Sequence, residues 1–264
     1  MAKRRLDSLL ADRGLFSSRS RAAASVMAGQ VRVGSAGRRA LKPGELVDAQ
    51  EQLSVDDAPA FVSRGGIKLA NALASSGVEV AGRWALDVGA STGGFTDCLL
   101  QRGARGVIAV DVGYGALAWK LRRDARVCLM ERTNARTLRA ELLPYRPDLA
   151  VVDVSFISLG KVLETVLDCV AERYDVLALV KPQFELGRER VGKGGVVRDV
   201  EGRRAALIGV GEVALELGAC VLGYHSSGLP GPKGNRETFV WLAESLRGAS
   251  RQRPLQQMAH EVEP

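Results

Sequence analysis

Four ionisable residues stand where a charge is costly without a partner: Lys68 in IKLANALASSG, Asp153 in VVDVSF, Lys181 in LVKPQFE and Glu237 in NRETFVW. A lysine that ends an apolar strand such as VLALVK, held extended by Pro182, suits the deprotonation of a poor nucleophile. A ribose hydroxyl attacking a sulfonium methyl in line is such a nucleophile. The base must first be neutral, and a second cation, Lys68, together with a sulfonium, favours that state. Asp153 and Glu237 would orient and balance the two lysines. The competing reading is a set of separate surface salt bridges.

A second constellation is the turn Asp87-Val88-Gly89-Ala90-Ser91-Thr92-Gly93-Gly94-Phe95, which follows the strand WALDV and opens the helix GFTDCLLQRG. Glycines in the first βα turn let a backbone approach a ligand closely. The spacing is not that of a dinucleotide loop. Asp87 would repel a pyrophosphate and welcome an amino group, and Asp111, 24 residues on at the end of the next strand, suits a ribose diol. The combination points to S-adenosylmethionine. Asn134, in ERTNAR, stands either beside the adenine or simply in a turn.

These residues need a scaffold that brings strand ends together. From Ser63 onward, apolar strands (WALDV, GVIAVDV, DLAVVDV, VLALVK, ETFVWL) alternate with helices (IKLANALASSG, GFTDCLLQRG, ALAWKLRRD), which predicts an α/β, Rossmann-like, doubly wound sheet. Before it, Leu6, Leu9 and Leu10 form one helical stripe ended by Gly14. Ser17 and Ser18 then cap a second helix, ended by Gly29, with Ala22 and Val26 inward and Arg19 and Arg21 in its first turn. Short strands around QVRV and LKPGELV complete a small α+β domain. The expected boundaries are 1–58, a linker 59–64 within DDAPAFVSRGG, a second domain 65–247, and a tail 248–264 expected to fray.

With 46% hydrophobic and 25% charged residues, the 264-residue chain is globular rather than disordered. Residues 1–42 hold ten basic and two acidic residues, whereas the remainder holds 27 and 28, so by this division all of the net +7 is N-terminal. That asymmetry predicts a polyanion-binding head. Cys98, Cys128, Cys169 and Cys220 are far apart, and His225 and His260 lack companions at metal spacing, so neither a disulfide nor a metal is expected. No signal peptide or membrane-length apolar run is read, which predicts a soluble cytoplasmic protein. Phe95, Trp119 and Trp241 lie inside apolar patterns and are expected in the core. GRERVGKGG, with Arg188, Arg190 and Lys193, reads as a basic loop that closes over RNA or is merely solvated.

The string RLDSLLADRGLFSSRSRAAASVMAGQVRVG, followed by LKPGELV, resembles the small RNA-binding module shared by a small-subunit ribosomal protein and pseudouridine synthases. That resemblance places RNA at Arg19, Arg21 and Arg32, to which Arg4, Arg5 and Arg64 are added as candidates. Lys68, Asp153, Lys181 and Glu237, with DVGASTGG, resemble the Lys-Asp-Lys-Glu tetrad of the FtsJ-like ribose 2′-O-methyltransferases. The strings VSRGGIKL, LDVGASTGGFTDCLL, VDVGYGALAWKLRRD, DVSFISL, GGVVRD and LPGPKGNRETFVWL extend the likeness to the TlyA family over essentially the whole chain. The resemblance implies cytidine 2′-O-methylation of ribosomal RNA or ribosomal subunits with Lys181 as base, without membrane, metal or obligate protein partner. Family members modify the large-subunit RNA alone or both subunits, and the short termini lean towards the large subunit. The other readings are a non-catalytic ribosome-assembly factor and, from the haemolysin label the family carries, a membrane-active protein.

Overall fold

Strand residues alternate in the face they cover, and in the larger part of this chain both faces are apolar. In the computed structural model, which describes residues 3–27, 29–56, 60–192, 194–231, 233–248, 250 and 252–263, the chain divides into two compact units, 1–60 and 61–264. Residues 57 and 58 at the end of the expected first domain, Pro59 of the expected linker and Lys193 of the expected basic loop lie outside the described residues.

In the first unit, β1 (Lys3–Arg5) pairs antiparallel with β4 (Leu46–Asp48), and β3 (Arg38–Arg39), β2 (Val31–Val33) and β5 (Leu53–Val55) form a three-stranded sheet. Helices α1 (Leu6–Asp12) and α2 (Arg19–Met27) bury Leu6, Leu9, Leu10, Ala22 and Val26 as the stripes predict, and Ser18 Oγ accepts the Arg21 N–H. Asp7 is buried beneath this layer. Arg5 and Arg19 pair with it at 2.8 and 3.1 Å, and the Arg5 guanidinium holds its carboxyl far below the usual range.

The second unit is a seven-stranded sheet in the order β11 (Ala219–Ser226), β12 (Thr238–Glu244), β10 (Asp175–Val180), β9 (Leu149–Val152), β6 (Trp84–Val88), β7 (Gly106–Val110) and β8 (Val127–Met130), in which only β12 runs against its neighbours. Leu86, Val88, Ile108, Val110, Ala150, Val152, Val176 and Ala178 cover one face, under α6 (Leu163–Cys169) and α8 (Val200–Glu216). The intervening Ala85, Val107, Ala109, Leu149, Val151, Leu177 and Leu179 cover the other, against α3 (Arg64–Ser76), α4 (Gly94–Gln101) and α5 (Trp119–Arg122). This two-residue alternation with helices on both faces makes the sheet doubly wound.

Further short helices are α7 (Pro182–Glu185), α9 (Ser245–Gly248) and α10 (Leu255–Val262). Several expectations need correction. The tail does not simply fray: α10 buries Leu255, Met258 and Ala259 against the α8 face, and Glu263 pairs with the buried Arg203 at 2.9 Å. Trp119 is not core but 71% exposed, because α5 spans only four residues and turns Leu121 inward instead. Arg64 opens α3 rather than ending a linker. The charge division also changes at the structural boundary. Residues 1–60 carry ten basic and seven acidic residues, a net +3, which leaves +4 on the second unit.

Candidate active site

The chain enters the second sheet at β6, proceeds to β7 and β8 on one side, then returns to β9 and β10 on the other. The carboxyl ends of β6 and β9 therefore flank a topological switch point, where open α/β sheets bind ligands. Gly89, one residue past β6, has φ +88, and a Cβ there would overlap the Asp153 carbonyl at the end of β9. Gly93, φ +95, packs under Leu117 and Leu121. Between them Ser91, itself at φ +50, donates its N–H to Asp111 Oδ2 at 2.7 Å, while Gly113 N–H reaches Asp111 Oδ1 at 2.6 Å. Each carboxylate oxygen keeps a lone pair for a ligand hydroxyl.

Two crevices open here. The first, 490 Å³, is lined by Gly89, Ser91, Asp111, Asn134 and Asp153 among others; the second, 350 Å³, by Arg64, Lys68, Gly89 to Thr92, Gly94, Phe95 and Asp153. Asn134 stands in a turn, its side chain capping a 3-10 turn by accepting the Arg136 N–H, and it also lines the first crevice. Phe95 lines the second while packing on Phe239, ring centroids 5.7 Å apart. Asp87 departs from its expected placement. It has no accessible surface, Thr96 Oγ1 donates to its Oδ2 at 2.6 Å, and Oδ1 has no hydrogen-bond partner. Burial pushes its carboxyl up to about 7, and in this conformation Asp87 is tied to Thr96 of α4 and lines neither crevice.

The four reaction candidates converge as two ion pairs. Asp153 follows β9 and Lys181 follows β10, whose Val180 pairs with Thr238 at the start of the reversed strand β12; this places Glu237 at the same sheet edge. Lys181, extended before Pro182 at φ −114 and ψ 99, lies 2.5 Å from Asp153 Oδ1 and donates to Ser155 Oγ at 2.8 Å. Lys68, on α3, forms a buried pair with Glu237. Lys68 and Asp153 line the second crevice, so each pair contributes one member to it, with Lys181 and Glu237 outside its lining. Surface salt bridges would not be sequestered in this way.

Ser155 and Phe156 were not anticipated. Phe156 is 92% exposed at φ +63, beside Phe184 with ring centroids 5.2 Å apart. The available signal was an aromatic directly after the polar end of a strand, in DVSF. Of the RNA candidates, Arg64 donates to the Pro230 carbonyl at 2.6 Å and lines the second crevice. Arg4 pairs with Asp12 and Arg32 with Asp56, whereas Arg21 bonds the neutral Ser17 hydroxyl. Among the described residues no cluster of His, Cys, Asp or Glu is placed to hold a metal, and no helix is long and apolar enough to cross a membrane.

The FtsJ-like methyltransferase family matches residues 61–244, and the S4 domain matches residues 4–53. Fold and site thus define an FtsJ-like methyltransferase joined to an S4 module. A Mycobacterium tuberculosis protein, the 16S/23S rRNA (cytidine-2′-O)-methyltransferase TlyA, is 48% identical over 98% of this chain and 97% of its own length. A Campylobacter jejuni relative named as the 23S rRNA enzyme of this type is 35% identical over 69% of the chain and 70% of its own length. A solved Streptococcus thermophilus protein described as a hemolysin shares 40% identity with a TM-score of 0.73, over 99% of this chain and 96% of its own. The chain belongs to the TlyA family.

Proposed function

We propose that the protein methylates the ribose 2′-hydroxyl of cytidine in ribosomal RNA, with S-adenosylmethionine as donor. The observation that carries this reading is the pairing of Lys181 with Asp153 and Ser155, and of Lys68 with Glu237, around one crevice at the switch point. The donor fits the residues present: Gly89, which lines both crevices, comes against the Asp153 carbonyl only because it lacks a Cβ, Asp111 offers acceptors to a ribose diol, and Asn134 lines the same crevice. When bound, the donor supplies an electrophilic methyl group.

The chain must orient the hydroxyl and remove its proton. Lys181, at the strand end, takes the proton in its neutral state. Asp153 and Ser155 fix the direction of Nζ, and Lys68 with Glu237 holds the opposite wall. The S4 unit binds the RNA. A non-catalytic assembly factor needs none of these ionised residues sequestered together, and a membrane-lytic reading has no membrane-length apolar helix among the described residues to rest on.

The test is methyl transfer to separated small and large subunits lacking the modification, with nucleosides identified by mass spectrometry. Both subunits belong in it, because the relative covering 98% of the chain is named for both RNAs. A 2′-O-methylcytidine product lost in Lys181→Ala, with cofactor binding retained, is expected. Turnover by Lys181→Ala would remove it as base, and no product from the intact protein on either subunit would overturn the reading.

A further inference from the structure

The backbone around Trp119 is anchored, yet its ring is left open. Trp119 begins α5, immediately after Ala118, whose N–H bonds the carbonyl of Thr92 at 3.1 Å in the cofactor loop. Leu117 and Leu121, on either side of it, pack onto Gly93 of the same loop and are buried. Lys120 pairs at 3.0 Å with Asp97, a buried carboxylate of α4 that also accepts the N–H of Val62, next to Ser63 in the second crevice. Three anchors therefore fix the backbone of the short helix against the cofactor loop and α4 while the indole stays 71% exposed. Val112 and Tyr114, 73% and 70% exposed, lie in the same stretch of chain, so residues 112–119 present three large exposed side chains, and an exposed group of this kind, unlike a lone side chain, points to a binding surface.

Its surroundings identify the occupant. Residues 119–132 hold Lys120, Arg122, Arg123, Arg126 and Arg132 against Asp124 and Glu131, a net +3 of the +4 on the whole second unit. The acids are already engaged, Glu131 by Arg122 and the Gly115 N–H, and Asp124 by Arg126 at 2.7 Å. Arg123 is exposed and without an acidic partner among the described residues. A ring with a π-face in a locally basic surface suits a nucleobase whose phosphates lie on the neighbouring cations.

We propose that Trp119 is a stacking platform for a base of the RNA strand flanking the modified nucleotide, with Arg123 on its backbone. This rests on the RNA-methyltransferase reading above and adds a contact on the catalytic unit, separate from the S4 module. The platform acts on RNA affinity and leaves the cofactor site alone.

The experiment compares Trp119→Ala, Trp119→Phe and Arg123→Gln with the unaltered protein. It measures equilibrium binding to purified unmodified subunits, methyl-transfer kinetics, S-adenosylhomocysteine affinity and sedimentation. Loss of one stacked base predicts a rise in Kd and KM for subunits of roughly tenfold to a hundredfold in Trp119→Ala, with Trp119→Phe within about threefold of the unaltered protein. Arg123→Gln should reduce the salt dependence of binding by about one unit of slope. Cofactor affinity should not move. Unchanged subunit binding in Trp119→Ala, or a parallel loss of S-adenosylhomocysteine affinity, overturns the proposal. So does a dimer that Trp119→Ala splits, which would give this face to a second copy of the chain. If the unaltered protein transfers no methyl group, the proposed function fails, and the binding series still decides the role of Trp119.

Discussion

Replacing Glu237 with Gln isolates what the Lys68–Glu237 pair contributes. The two side chains are 9% and 1% exposed, so Gln would leave the Lys68 ammonium in a dry site with an amide oxygen where it had a carboxylate. Breaking a buried pair costs about 3–5 kcal/mol, and the retained acceptor puts the expectation near the lower end, about 3 kcal/mol. For a unit of this size, each kcal/mol lowers Tm by roughly 2–4 °C, which gives a fall of roughly 6–12 °C. Lys68→Met combined with Glu237→Gln removes both charges and should restore most of the stability, since an apolar replacement of a buried pair is often neutral. It should not restore chemistry: kcat on subunits is expected to stay down by on the order of a hundredfold or more. Thermal unfolding of the three variants, beside methyl-transfer kinetics and S-adenosylhomocysteine binding, separates the effects. A Tm for Glu237→Gln within 2 °C of the parent, marked as roughly one kcal/mol or less, would refute the burial argument. Normal turnover by the double variant would make the pair purely structural.

Gly89→Ala should abolish S-adenosylhomocysteine binding, because the new Cβ overlaps the Asp153 backbone carbonyl at φ +88. Calorimetric titration showing parental affinity would refute the close approach of these two turns. Asp87 gives a pH prediction. Burial raises its carboxyl from 3.8 to about 7, against which the Thr96 hydrogen bond acts and to which the Asp153 and Asp111 charges add. Its contribution to stability is therefore full below the unfolded value of 3.8 and is lost as the pH rises through about 7. The stability of the parent relative to Asp87→Asn should fall by a few kcal/mol across that interval, and a pH-independent difference in denaturant unfolding would contradict it.

Asp153, Lys181 and Glu237 were legible as candidates because each stands directly beside the end of an apolar strand, whereas Lys68 lies within α3 and its place in the sequence gives no such signal. The doubly wound sheet follows from the same apolar runs alternating with helices, whereas the strand order is seen only in the structure. The failures have local causes. Four of the seven buried residues of α8 are Gly or Ala and a fifth is Arg203, so its two faces differ little in sequence and neither it nor β11 stands out. Leu255, Met258 and Ala259, at helical spacing, did offer a signal for α10. Trp119 sits in an apolar pattern whose helix lasts a single turn, too short for periodicity to say which residue faces in. Asp87 was placed by residue type, whereas the depth of β6 decides what its carboxylate can touch.

Charge shows most clearly how folding changes a count. The ten basic residues of the first unit suggest an RNA head, but Arg4 and Arg32 sit in exposed pairs with Asp12 and Asp56. Such pairs are worth about 0–1 kcal/mol, so a phosphate replaces the acid at little cost. Arg5 and Arg19 differ: their acid, Asp7, is 5% exposed, and letting go would strand a buried carboxylate. These two arginines are therefore held by Asp7, with side chains still 50% and 57% exposed, and would offer RNA, on the proposed reading, a preset surface instead of mobile charge. Arg21, bonded only to a serine hydroxyl, is free to follow a phosphate. In the proposed RNA complex the fixed arginines would set geometry, and Arg21 with the loosely paired Arg4 and Arg32 would carry most of the salt dependence.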